Sequence, residues 1–218
     1  MTLNLTMLHK MLILVVYLIA GIQDLLWREI SDLTWLISFP ICFPLTFFLA
    51  YKLYRHNLIS MLIQLSYDFA LILLFIIFYI LNKVPEGDII GIILLILLYP
   101  LDFEVNNITY SFIIPPAYMI LINTSLISLI VPTIIVSYNM LSHDISRFFE
   151  GKHKTLRYYL TCIVIDRELA KKYNTLFIPL EESEDKALCT ITLPYIFLVF
   201  LGMLTYFILG SPLSRLLA

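Results

Sequence analysis

From Ile89 to Leu101 every residue except Gly91 and Pro100 is isoleucine, leucine or tyrosine, and the residue that opens this run is Asp88. Such a segment belongs in lipid or in a dry protein interior. No water is at hand there to bond its backbone, so it closes its hydrogen bonds on itself as a helix. An ionisable group at the mouth of such a helix is costly and by default marks a functional site. The same demand recurs along the chain: 61% of the 218 residues are hydrophobic and 14% are charged, whereas soluble domains are roughly half apolar. The composition specifies a helical, polytopic membrane protein.

Six apolar segments are expected, over 11–22 (reaching back through Leu8), 33–51, 58–81, 88–101, 112–141 and 193–209. The fold class that follows is an all-α polytopic membrane protein: six transmembrane helices with a small α/β cytoplasmic insert between helices five and six. Residues 1–142 carry helices one to five, 143–190 form the insert, and 191–218 hold helix six and the tail. Pro40 and Pro44 are expected to break the second segment, and Pro115, Pro116 and Pro132 to kink the fifth. Within the insert, 158–165 reads as a strand, 166–173 as a helix and 176–180 as a second strand. Glu181, Glu182, Ser183, Glu184 and Asp185 read as a solvated loop.

The fourth segment is short. Its fourteen residues rise about 21 Å, against a hydrocarbon core of about 30 Å. Its Asp88 end is therefore expected below the membrane surface, sheltered by other helices in a cavity that admits water. The other way to make up the length is to continue past Asp102 and Glu104 on the far side.

With six spans, loops one–two, three–four and five–six hold Arg28, Lys83, Arg147, Lys152, Lys154, Arg157, Arg167, Lys171, Lys172 and Lys186. The opposite side holds Lys10, Lys52, Arg55 and Arg215. The excess of positive charge makes the first set cytoplasmic. It also places Asp88 on the same side as Asp24, which ends the first segment. Two carboxylates brought close together cannot both ionise and hold a shared proton. One can then deprotonate a water while the other donates a hydrogen bond to a carbonyl, the division of labour that peptide-bond hydrolysis needs. Because they sit on separate helices, the two are expected to lie too far apart for chemistry until a substrate draws them together.

The run Asp24-Leu25-Leu26-Trp27-Arg28-Glu29-Ile30-Ser31-Asp32-Leu33-Thr34-Trp35, followed by Gly87-Asp88 at the head of a later span, resembles the archaeal preflagellin (archaellin) and prepilin peptidases. These are membrane aspartic proteases of the Gly-x-Gly-Asp type, related to the bacterial prepilin peptidases and more distantly to presenilin and signal peptide peptidase. The likeness covers most of the chain and implies that Asp24 and Asp88 are the catalytic pair. It implies as partners the precursors of archaellins or type IV pilin-like subunits, cut at the cytoplasmic face between a short positively charged leader and the hydrophobic segment that follows. It implies an archaeal cell membrane as the location and no cofactor. The cysteine-rich part of the methylating bacterial relatives is missing, so peptidase activity without N-methylation is expected. Two positions depart from the pattern: Pro85 stands for the motif's first glycine in Pro85-Glu86-Gly87-Asp88, and Ile90 for a lysine. Proline stiffens the approach to Asp88, Gly87 leaves room for a peptide backbone, and Glu86 adds a third carboxylate nearby. Arg28, one turn from Asp24, also reads as an ion-pair partner.

Other chemistries find little support. A net charge of -2 and the absence of a basic stripe argue against a nucleic-acid partner. Cys42, Cys162 and Cys189 are too dispersed for a disulfide framework or a metal cluster. His9, His56, His143 and His153 read as solvated, and Asp68, inside the third segment, as hydrogen-bonded within the bundle. The acidic run from Glu181 to Asp185 would suit a positively charged leader, making the insert a lid or docking surface. Two further classes fit the composition. A small transporter or channel would show broken helices or repeats, and a non-enzymatic assembly factor would use the insert alone. Oligomeric state leaves no mark in the sequence.

Overall fold

The structure is a computed structural model that describes residues 2–54, 58–81, 84–100, 115–142, 145, 156–183 and 185–209. The chain is mostly helical, with a small three-stranded sheet. It divides into two compact units, Met1–Thr124 with Tyr195–Ala218, and Ser125–Pro194. Arg55, His56, Lys83, Asp102, Glu104, His143, Arg147, Lys152, His153, Lys154, Glu184 and Arg215, each given a role above, lie outside the described residues.

Among the described residues four stretches are long and apolar enough to cross a membrane: Leu5–Trp27, Asp32–Lys52, Met61–Ile80 and Pro116–Ser142. They belong to helices α1 (Thr2–Trp27), α2 (Asp32–Tyr54), α3 (Leu58–Ile80), and the pair α5 (Pro116–Ser128) and α6 (Ile130–Ser142). The expected break in α2 does not occur, since the helix runs through both Pro40 and Pro44. Proline's fixed φ is itself helical. The lost bonds free the carbonyls of residues 36 and 40, one turn apart on a single face, and neighbouring helices in a bundle tolerate such gaps. The fifth segment does yield near a proline. Pro132 cannot bond the carbonyl of Ser128, and a turn at Leu129 separates α5 from α6. The flanking bonds Leu129 N to Ser125 O and Thr133 N to Leu129 O are both long, at 3.3 Å.

Two apolar helices are shorter: α4 (Glu86–Leu98, 13 residues) and the helix after the insert (Tyr195–Leu209, 15 residues), labelled α9 below. In the first unit α1 packs along α9, while α2, α3 and α9 surround α4. Ile13, Tyr17, Ile92, Leu95, Ile96, Ile120, Ile196 and Met203 form the fully buried centre. Two side chains from the long helices pin α4. Tyr17 donates its hydroxyl hydrogen to the Gly91 carbonyl. Thr46 Oγ1 lies 3.0 Å from the carbonyl of Leu98, the last residue of α4, and 3.1 Å from that of Cys42. With its proton engaged by carbonyls, Thr46 Oγ1 accepts from His9 Nε2 at 2.7 Å. His9 is therefore a fully buried member of the core, not the solvated residue expected from its place near a segment end.

The second unit carries α7 (Leu156–Thr161), β1 (Cys162–Asp166), α8 (Arg167–Lys172), β2 (Phe177–Glu182) and β3 (Lys186–Ile191). The sheet is antiparallel in the order β1-β3-β2. The expected strand over 158–165 is half helix: α7 takes its first part, and the strand starts only at Cys162. Asp166 caps α8 by position, as expected, and β2 lies where the second strand was read. The central strand β3 was not foreseen. Its polar start at Lys186 merges with the acidic run before it, although Ala187, Leu188 and Cys189 are buried against the two faces of the sheet. The presumed loop is also partly strand, since Glu181 and Glu182 end β2. On this exposed edge Pro179 pairs with Cys189, and the register slips between Pro179 and Glu181.

Where α5 meets α9, a Cβ on Gly202 would collide with Thr124 Oγ1 and stand 2.8 Å from the Ile120 carbonyl. Gly202→Ala is expected to cost about 1–3 kcal/mol, the usual range for overpacking, read as a lowered unfolding temperature in detergent. Gly87→Ala, where a Cβ meets nothing within 4 Å, is expected not to lower it.

Candidate functional site

The helix α1 ends later than the apolar segment suggests, so Asp24 lies in its last turn, not beyond it. There it is buried, 6% exposed. Its Oδ2 accepts hydrogen bonds from the backbone N–H groups of Ile196, at 2.8 Å, and Phe197, at 3.4 Å. These are first-turn amides of α9, which have no partner within their own helix. Pro194, just before the helix, has no N–H to compete. Asp24 thus caps α9 from another helix, an arrangement that local sequence cannot reveal because the partners are 172 residues apart.

Arg28 follows one turn later in the left-handed region, at φ 59°. A non-glycine residue there costs about 1–2 kcal/mol. The reversal ends α1, with Arg28 N bonded to Asp24 O at 3.1 Å. It also brings the guanidinium back, with Nη1 3.9 Å from Asp24 Oδ1. The neighbouring Gln23 closes the turn into α2: its Oε1 accepts from Ser31 N at 3.1 Å and Thr34 Oγ1 at 3.0 Å.

Asp88 sits in the first turn of α4, where a carboxylate complements the helix dipole. It is not the cap of that helix. Pro85 holds that position, extended at φ -62° and ψ 151°, and α4 begins at Glu86. Asp88 is partly buried, whereas Pro85, Glu86 and Gly87 are exposed. Asp88 lies within electrostatic reach of Asp24, Arg28 and Tyr195. Among the described residues no hydrogen bond joins it to Asp24. The groups that the sequence singled out therefore come from α1, α4 and the turn after α1 into one electrostatic neighbourhood at the start of α9.

Two glycines set how closely these helices approach. A Cβ on Gly21 would lie 3.0 Å from Phe197 Cα, and one on Gly91 would press on the Ile196 side chain and stand 3.5 Å from Trp35. Gly21 precedes Asp24 by three residues and Gly91 follows Asp88 by three, so each shares a helix face with its aspartate. The first turn of α9 is held between them. Tyr195, Gln23 and both glycines escaped the sequence reading. The glycine spacing was legible, since the whole chain has only six glycines.

A groove of about 800 Å³ runs between α2 and α4, lined by Asp32, Trp35, Phe39, Ile90 and Leu94 among others. A search against protein-family models and against curated proteins finds no match for this chain.

Asp24→Ala removes the acceptor for two α9 amides and is expected to destabilise the protein by about 0.5–2 kcal/mol, as loss of a helix cap does. Asp88→Ala, which removes no hydrogen bond among the described residues, is expected to cost less. Unfolding temperatures of the two purified variants, compared side by side, check the order.

Proposed function

We propose that the chain is a membrane aspartic endopeptidase that removes the short, positively charged leader from archaellin or type IV pilin-like precursors. The observation that carries this reading is the shared neighbourhood of Asp24 and Asp88 at the start of α9. The resemblance of the Asp24–Trp35 run and the Gly87-Asp88 pair to the archaeal preflagellin and prepilin peptidases supports it. In this reading α4 and α9 supply the two shorter of six crossings, and the positive-charge bias sets the aspartates near the cytoplasmic face of a cell membrane.

The chemistry follows from the groups present. A water between the carboxylates gives its proton to one of them as its oxygen attacks the scissile carbonyl. The other carboxylate, carrying the shared proton, donates a hydrogen bond to the carbonyl oxygen as charge develops there. Collapse of the tetrahedral intermediate returns a proton to the leaving amine. No metal or cofactor takes part. Arg28 offsets the negative charge of the pair. The open space at Gly87 admits an extended peptide backbone, and the apolar groove between α2 and α4 fits the hydrophobic segment behind the leader. The exposed acidic residues Glu181, Glu182 and Asp185 suit the leader's positive charge.

Asp24→Asn and Asp88→Asn are each expected to abolish cleavage of a short-leader pilin precursor in membranes while the protein stays folded. Residual cleavage by either purified variant would exclude a two-carboxylate mechanism. A precursor with its leader lysines and arginines neutralised should be cut more slowly, with the deficit in KM and not in kcat.

A further inference from the structure

Asp68 lies near the middle of α3 and is 3% exposed, and among the described residues neither carboxylate oxygen has a hydrogen-bond partner. Among these residues the bundle does not supply the hydrogen bonds expected for this residue from the sequence. An uncompensated acid in an apolar interior is costly, and proteins retain one only against a gain elsewhere. Asp68 lines a cavity of about 670 Å³ between α2, α3 and α4. The rest of the wall is almost wholly apolar, with Phe43, Phe47, Met61, Phe69 and Ile72 prominent. Thr46, also on the wall, has its hydroxyl engaged by His9 and by the Leu98 and Cys42 carbonyls. Among the described residues the cavity therefore offers one ionisable acceptor without a donor, in a hydrocarbon-like lining.

We infer that this cavity is a binding site for a long-chain primary amine, its ammonium seated on Asp68 and its alkyl chain along the aromatic wall. Charge complementarity selects the head: an N–H-bearing cation answers both lone carboxylate oxygens. The lining selects the tail. The volume selects a single small amphiphile over a partner helix, because it falls in the range of about 300–1,000 Å³ that takes one drug-sized ligand. The site is built from α2, α3 and α4 and does not depend on the peptidase reading.

The test uses the full-length protein in phosphatidylcholine nanodiscs and radiolabelled dodecylamine, with empty nanodiscs subtracted. Saturable binding of about one dodecylamine per chain is expected. It should be weakened at least tenfold by Asp68→Asn, displaced poorly by dodecanol, which keeps the tail and lacks the charge, and displaced poorly by butylamine, which keeps the charge and lacks the tail. Ala50 also lines the cavity, and Ala50→Trp, which fills it while leaving Asp68 in place, should also abolish binding and decides the matter if the Asp68 variant does not fold. Absence of saturable binding, binding unchanged by either substitution, or equal displacement by dodecanol would overturn the proposal.

Discussion

A helix that ends inside an apolar bundle leaves up to four amides or four carbonyls with no water to bond them, and the first unit is arranged around meeting that demand. Over their described residues α4 and α9 rise only about 20 and 22 Å, less than the roughly 30 Å of a hydrocarbon core. The long helices supply what is missing. Thr46 of α2 meets the last carbonyl of α4, and Asp24 of α1 meets the first amides of α9. The carboxylate proposed to be catalytic is thus also a structural acceptor, and its orientation is fixed by the helix it caps.

That double use has a chemical side. Asp24 has one oxygen held by two amides and the other facing the Arg28 guanidinium, and its position cannot drift without uncoupling α9. Asp88 is placed differently, on a helix pinned at Gly91 and Leu98 and gripped by Ile196. Both carboxylates are referenced to the same first turn of α9, from opposite sides. Movement of that turn would change the geometry of both acids together.

The sequence made the helices legible because apolar runs in this chain are nearly uninterrupted, and α3 has almost the bounds read for it. Asp24 and Asp88 could be singled out for the same reason, as charges in segments where charge is expensive. What escaped it depends on partners distant in the chain. Pro40 and Pro44 look like breakers by local rules, yet the bundle carries α2 through them. His9 looks solvated until Thr46 of α2 is set beside it. Strand β3 begins as the continuation of an acidic surface run, and only pairing on both sides identifies it as the centre of a sheet. Asp68 looks satisfied by the general rule that buried acids find partners, and no local feature of α3 marks it as the exception.

The exposed edge of the small sheet carries its own safeguard. Ile178 and Leu180 stand about half uncovered on β2, the kind of strand that recruits a neighbouring chain. Pro179 between them has no amide hydrogen to offer, and the slipped register beside it bends the strand away from a flat ladder. Self-association through this edge is thereby disfavoured, so the strand can keep an apolar rim uncovered without seeding fibrous aggregates.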